Sequence, residues 1–330
     1  MTLIVDVMGF ENDIKEAVDA CRDFHIRHSD VNFLLIGNEK EISSCLKSSD
    51  NFFIKIFHTS EYVKMNDDPL KIIRNKNTSM YVALSKLVNN EGDGVLSAGN
   101  TGCFVALSYL LVKPINNISK PGFMPCIPTI KNNKNIYLID VGANKECNGN
   151  DLYNFALMAN LYCKNVCKID SPKIGILNIG AEETKGFDFH KDGNELLKQN
   201  KKINYVGFVE PREIMRGNID ILVCDGYSGN LVLKTLEGSL KSVALVLKNS
   251  YKKIFNWLGF IFSLGVIKKI VKTFDYKRNA GALVIGLNKT VVKTHGSADK
   301  KQFYSSLEML YNCVKNDIIN KIKESINNNG

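Results

Sequence analysis

One pattern runs the length of the chain: a short apolar run, a loop of Gly, Asn, Asp and Ser, then an amphipathic segment. The apolar runs are Leu3–Val7, Val31–Ile36, Gly94–Leu96, Ile136–Val141, Ile174–Ile179, Ile203–Phe208 and Ile219–Cys224. They carry little apolar–polar alternation, as expected of strands buried on both faces. Helical periodicity fills the intervals at Glu11–Arg27, Thr78–Val88, Thr101–Val112, Leu152–Val166 and Asn230–Leu247. Strands alternating with helices predict an α/β fold on a doubly wound, mostly parallel sheet. A β-branched patch at Val291-Val292-Lys293 predicts a late return strand. The 330 residues exceed the roughly 250–300 at which single cores stop growing, yet no repeat or long linker divides them. The expectation is one domain over 1–330, as a single large unit or as two lobes sharing the sheet.

Composition narrows the class. With 45% apolar and 23% charged residues and a mean hydropathy of −0.10, the chain reads as an ordinary soluble protein, disordered only at its tail, Ile326–Gly330. Its net charge of +9 favours an acidic partner: nucleic acid, an anionic membrane or an acidic carrier protein. No aromatic-interleaved RNA motif or helix-turn-helix pattern accompanies the basic residues, so nucleic acid ranks last. The nine cysteines are scattered. Cys163 and Cys167 share a helical face, but no C-x-x-C or zinc spacing occurs, which implies idle reduced thiols, a cytosolic compartment and no metal. Met1–Asp6 enters an apolar strand with no basic region before it, so no signal peptide is expected.

In a sheet of this kind, ligands bind beyond the carboxyl ends of the strands. Six loops of small polar residues stand there: Asp6–Gly9, Ser97–Gly102, Asp140–Asn144, Asn178–Lys185, Asp225–Asn230 and His295–Ser297. All six are expected at one end of one sheet. Ser97–Gly102 and Asp225–Asn230 lead into helices, where glycine lets backbone N–H groups approach an anion and the helix terminus adds positive charge. The same residues also make tight turns with Asn or Ser caps. No P-loop, dinucleotide fingerprint or G-x-S-x-G elbow is present, which disfavours a nucleotide cofactor and a serine hydrolase. Lys185, Arg74 and Lys76 are cations available to neutralise a phosphate, and His295 is a candidate proton donor. His25, His28, His58 and His190 fall on expected surface segments and receive no role.

These loops resemble the PlsX-type phosphate acyltransferases almost end to end. The resemblance rests on Val5-Asp6-Val7-Met8-Gly9, Ser97-Ala98-Gly99-Asn100-Thr101-Gly102 and Asp140-Val141-Gly142-Ala143-Asn144. It continues through Leu177-Asn178-Ile179-Gly180, Asp225-Gly226-Tyr227-Ser228-Gly229-Asn230, Lys234-Thr235-Leu236-Glu237-Gly238 and His295-Gly296-Ser297. The chain departs from the family pattern at Phe10–Ile14, Ala181 and Ala280. The resemblance implies an isocitrate/isopropylmalate-dehydrogenase-like sheet with a projecting helical hairpin, and a homodimer. It implies transfer of an acyl chain from acyl-[acyl-carrier-protein] to inorganic phosphate, without a cofactor. The acyl phosphate would pass to an acyl-phosphate-using glycerol-3-phosphate acyltransferase for phospholipid synthesis.

Phosphate is already a dianionic nucleophile, so such a site must position it, neutralise charge and stabilise an oxyanion. The expected catalytic residues are Asn144, Lys185, Asn230 and His295. The expected phosphate and oxyanion loops supply Asp6, Gly99, Asn100, Thr101, Gly102, Asp225, Gly226, Ser228 and Gly229, with Asp6 and Asp225 orienting donors. Between lysines, Ile254–Ile267 is the most apolar stretch and holds the sole Trp. Fourteen residues fall short of the roughly 20 that span a bilayer. The segment, within a projecting region at about 250–275, therefore reads either as an interfacial contact through Trp257, Phe260 and Phe262 or as a buried dimer helix. The first reading puts the chain in the cytoplasm, peripherally on the inner face of the membrane. Two alternatives are a phosphotransacetylase-like enzyme using acyl-CoA and a non-catalytic, membrane-docked adaptor.

Overall fold

The seven apolar runs and the Val291-Val292-Lys293 patch form strands, and three further strands join them. The computed structural model describes residues 1–132, 134–251, 257–274 and 280–327, with the side chains of 70, 71 and 257–261 outside that description. The chain opens with β1 (Thr2–Asp6), α1 (Ile14–Arg27), β2 (Asn32–Gly37), α2 (Glu39–Cys45), β3 (Ile54–His58), α3 (Pro69–Ile72), α4 (Ser79–Val88), β4 (Gly94–Ser97) and α5 (Thr101–Leu111). It continues with β5 (Gly122–Pro128), β6 (Asn135–Ile139), α6 (Gly149–Asn165), β7 (Lys173–Leu177), α7 (Asp188–Gln199), β8 (Asn204–Val209) and β9 (Ile221–Val223). Then come α8 (Gly226–Tyr251), α9 (Trp257–Thr273), β10 (Ala282–Ile285), β11 (Thr290–Lys293), α10 (Lys300–Lys315) and α11 (Ile318–Asn327). Ile326 is buried in α11, so the expectation of a disordered tail fails there; residues 328–330 lie outside the described residues.

The strands form one sheet in the order β3-β2-β1-β4-β11-β10-β5-β6-β9-β7-β8. Alternation along each strand sorts side chains to the two faces. Leu3, Val5, Leu96 and Val292 join the core that also contains Phe24 of α1 and Phe303 of α10. Ile4, Val95 and Val291 meet Leu84 of α4 and Phe104 of α5. Helices thus cover both faces, which is why the strands read as continuous apolar runs.

The six loops do not share one end of the sheet. β1 to β4 and β11 run parallel, as do β6 to β9. Between them, β10 is antiparallel to both β11 and β5, and β5 is antiparallel to β6. Three antiparallel steps reverse the sense of the second half, so its carboxyl ends point the other way. Four strand steps separate β11 from β9. A twist of about 20–25° per step swings these opposed directions to roughly a right angle, so both sets of loops can border one cleft.

Helix α8 starts directly on the turn that follows β6. A Cβ at Gly229 would collide with the carbonyl oxygen of Asp140 and stand 2.6 Å from Cys224 Sγ, and one at Gly226 would stand 2.6 Å from Asp140 Oδ2. The two glycines allow this close packing of helix on loop. Val232, Leu233 and Leu236 still pack partly on the body, while the residues from 241 to 250 of α8 are exposed, so the outer part of α8 and its neighbour α9 stand away from the core. We expect Gly229→Ala to cost about 2 kcal/mol, within the range for overpacking, measured as a shift of the urea midpoint at unchanged slope.

Candidate functional site

The first group of loops is built on three strand ends in register. Asp6, Ser97 and Lys293 are direct neighbours across β1, β4 and β11 and point to one face. The Ser97 hydroxyl donates to Asp6 Oδ2 at 2.7 Å and accepts from Gly99 N–H at 3.1 Å, while Met8 N–H reaches Asp6 Oδ1 at 3.3 Å. Burial pushes the Asp6 carboxyl up to about 6, against these hydrogen bonds and the charge of Lys293. Burial brings Lys293 down to about 7, with Asp6 opposing; its ammonium bonds the Thr294 carbonyl. Ser79 also favours the Asp6 carboxylate, and Thr294 Oγ1 nearby is buried without a hydrogen-bond partner among the described residues.

Asn100 caps α5 by accepting from Cys103 N–H at 3.0 Å, and its amide donates to the carbonyls of Lys64, Met65 and Asp67. That side chain is committed to holding the 64–67 segment over the loop. Thr101 and Gly102 follow it, exposed in the first turn of α5, where unsatisfied N–H groups and the helix dipole favour an anion. His295 is exposed beside them, because Thr294 N–H bonds the Ser97 carbonyl. The Ser297 N–H donates to His295 Nδ1 at 3.2 Å, which places the ring proton of the neutral imidazole on Nε2. Partial desolvation of the ring lowers the His295 pKa, helped by Lys293, Lys234 and Lys241 and opposed by Glu237, so Nε2–H is offered by a neutral ring.

The second group is organised by buried carboxylates. Asp140 accepts from Phe123 N–H (2.8 Å), Ala143 N–H (3.1 Å), Asn144 N–H (2.7 Å) and the Asn144 amide (2.9 Å). Burial still raises its pKa. The Asn144 amide also donates to the Pro121 carbonyl at 2.8 Å, so this side chain fixes the turn. Asp225 takes Ser228 N–H at 2.9 Å and shapes the first turn of α8. Asn230, exposed, packs on Gly142. The Asn178 amide bonds the Lys185 carbonyl at 3.1 Å, closing a loop that leaves Lys185 exposed.

Helix α8 connects the groups. It begins beside Asp140, and its Lys234, Glu237 and Lys241 lie within electrostatic reach of His295. Of the expected site residues, Asp6, Gly99, Asn100, Thr101, Gly102 and His295 cluster in the first group. Asn144, Lys185, Asp225, Gly226, Ser228, Gly229 and Asn230 belong to the second. Gly226 and Gly229 serve helix-on-loop packing, and the Asn100 and Asn144 amides are occupied by backbone carbonyls, so their contribution to any anion is to hold loop shape.

Two residues escaped the sequence reading. Lys293 sat inside an apolar strand, where a lone charge at a carboxyl end was the available signal. His190 is buried; its Nδ1 accepts from Phe187 N–H at 3.1 Å, and burial lowers its pKa while Asp225 opposes. Trp257 and Phe260 side chains lie outside the described residues; Phe262 is 87% exposed on α9.

Comparison with known proteins supplies the family context. The family described as fatty acid synthesis protein matches residues 1–321. A phosphate acyltransferase of Malacoplasma penetrans is 51% identical over 98% of this chain and 97% of its own length. One from Mycoplasma genitalium is 45% identical, also over 98% and 97%. Among solved structures, a phosphotransacetylase of Streptococcus pyogenes superposes with a TM-score of 0.62 at 15% identity, covering 95% of this chain and 94% of that one. A 4-hydroxythreonine-4-phosphate dehydrogenase of Klebsiella pneumoniae gives 0.52 at 10% identity, covering 95% and 99%. At these identities the structures speak to fold alone, and they agree with the dehydrogenase-like sheet that the resemblance implied.

The buried lysine carries a pH signature. Its pKa falls from 10.5 to about 7, so the cost of holding an ammonium inside grows as pH falls from 10.5 toward 7 and is fully present below. Lys293→Met removes that cost. We expect its Tm to exceed that of the unsubstituted protein near pH 5, where Asp6, raised to about 6, is largely protonated, and the gain to vanish near pH 10. Thermal melts across that range check it.

Proposed function

This chain belongs to the fatty acid synthesis protein family, and from that premise we propose that it is a phosphate acyltransferase moving an acyl chain from acyl-[acyl-carrier-protein] to inorganic phosphate. The observation that carries this reading is the identity of up to 51%, over nearly the full length of both chains, with proteins named phosphate acyltransferase. A distant likeness to phosphotransacetylases favours a coenzyme A donor less, because it rests on 15% identity.

The geometry supports a division of labour. Phosphate binds at the start of α5, against the N–H groups of Thr101 and Gly102, with Lys185 as a mobile cation from across the cleft. A phosphate oxygen attacks the thioester carbon, and the carbonyl oxygen becomes an oxyanion that backbone donors stabilise. The C–S bond then breaks, and the thiolate departs with a hydrogen bond from His295 Nε2–H. Asp6, Asp140, Asp225, Asn100 and Asn144 hold the loops in shape. The products are acyl phosphate and the free carrier, and a glycerol-3-phosphate acyltransferase that uses acyl phosphate consumes the first.

The projecting helices suit an apolar or lipid partner. Val243, Val246, Phe262, Val266 and Val271 are 58–87% exposed, alongside exposed Lys268, Lys269 and Lys272. No helix among the described residues is long and apolar enough to cross a membrane. We assign this arm, with Trp257 and Phe260, to peripheral contact with an anionic membrane from the cytoplasmic side, and the working unit to a homodimer.

Incubating the protein with phosphate and palmitoyl-carrier protein, palmitoyl-CoA or acetyl-CoA, then trapping with hydroxylamine, tests the donor; the carrier-bound substrate is expected to react best. Lys185→Ala and His295→Ala should each lower that rate by roughly 100-fold, and wild-type rates in both would remove these roles. In flotation with anionic vesicles, Trp257→Glu combined with Phe260→Glu and Phe262→Glu should leave the protein in the dense fraction. Flotation unchanged by the triple substitution counts against membrane contact.

A further inference from the structure

At the end of the second half-sheet opposite to Asp140 and Asp225, thiols and phenols gather around a crevice that the proposed reaction does not use. The crevice, of about 600 Å3, is lined by Cys126 of β5, Tyr137 of β6, Tyr162 of α6, Cys167 just beyond α6, and Glu308 and Asn312 of α10. The Lys134–Asp220 ion pair, at 2.9 Å, also borders it. Cys167 is half-buried and lines the crevice, whereas Cys163, one helical turn before it, is fully buried.

Three polar groups surround the Cys167 sulfur. The Cys167 thiol donates to Tyr137 Oη at 3.1 Å, and Cys163 and the Tyr162 hydroxyl are the other groups that favour its thiolate. Together, with Cys163 first, they hold the Cys167 thiol below its ordinary value despite burial. The bond to Cys167, and then burial, drive Cys163 upward. One thiol therefore lines the crevice with its pKa lowered, and the next lies buried behind it with its pKa raised. Reactive cysteines occupy partly exposed settings that stabilise the thiolate. A disulfide needs Cα atoms roughly 4.4–6.8 Å apart, and Cys163 and Cys167 are close enough for their thiols to interact. Cys167 lies past Asn165, the last residue of α6, so the turn can tighten without unwinding the helix body.

We infer that Cys167 and Cys163 form an oxidisable dithiol, a modification site for hydroperoxides that enter this crevice. The Cys167 thiolate attacks the outer peroxide oxygen, the O–O bond breaks, and the departing oxygen takes a proton to leave as water or alcohol. Sulfur is oxidised to a sulfenic acid and the peroxide is reduced. Cys163 sulfur then attacks Cys167 sulfur; the S–O bond breaks, hydroxide leaves with the Cys163 proton as water, and a Cys163–Cys167 disulfide remains.

The test exposes the native full-length protein to limiting hydrogen peroxide and maps each cysteine by mass spectrometry against time. Cys167 is expected to be consumed about tenfold faster than Cys45 or Cys147, the other half-buried thiols, in line with a larger thiolate fraction. The product is expected to be a peptide pair lacking two hydrogens. In Cys163→Ser the reaction stops at a sulfenic acid that dimedone traps on Cys167, and Tyr137→Phe slows the first step. Preferential oxidation of Cys45 or Cys147 in the unsubstituted protein overturns the site, with no variant needed. A Cys126–Cys167 bridge overturns the assignment of Cys163 as the resolving thiol.

Discussion

The antiparallel seam formed by β10 and β5 governs the arrangement of everything around it. A sheet made only of parallel crossovers would send all its functional loops to one edge. Here three antiparallel pairings in succession reverse the second half, and strand twist then allows the two sets of carboxyl ends to border one cleft. β5 is the joint itself. Its first residues pair with β10 and its last with β6, while Phe123 gives its N–H to Asp140 and its carbonyl to Val141. The strand that joins the halves therefore also fixes the first turn of the second group.

Buried carboxylates do the same task in both groups. Asp6 and Asp140 each gather hydrogen bonds from the loop that follows a strand, and Asp225 does so for the start of α8. A carboxylate that collects several such donors pins a loop more firmly than a neutral cap would. Burial works against the charge, and the raised pKa values of Asp6 and Asp140 record that opposition. At Asp6 the compensating cation is Lys293, two strands away on the same face. The loops are thus rigid frames around exposed groups such as Thr101, His295, Lys185 and Asn230, and preorganisation of this kind is what electrostatic catalysis requires.

The projecting helices follow a different logic. Their roots are tied to the body by Gly226 and Gly229, which admit helix against loop, while their outer turns display apolar side chains to the surroundings. Apolar surface of that extent on an arm is characteristic of a docking surface. Because α8 passes His295 on its way outward, the arm and the site share one helix.

How much of this was legible in the residues follows from the kind of signal each part leaves. Seven apolar runs and five helical periods became the strands and helices expected, because burial on both faces imposes a local pattern that survives any tertiary arrangement. The six loops were legible for the same reason: strand ends, helix caps and glycine turns are local chemistry. Three strands were missed. β5 carries Pro125 and Pro128, β10 is four residues long, and β3 is exposed at three of its five positions, so none shows a clean run. Two of these form the seam, and direction is a property of pairing that no single segment encodes. Lys293 and His190 escaped because their burial, and hence their shifted titration, depends on what folds over them. The sequence by itself determined most of the strands, the loop chemistry and the family. Only the tertiary structure decided which loops face each other, which asparagines and glycines hold shape and which side chains remain exposed, because those depend on pairing sense, twist and close packing between segments far apart in the chain.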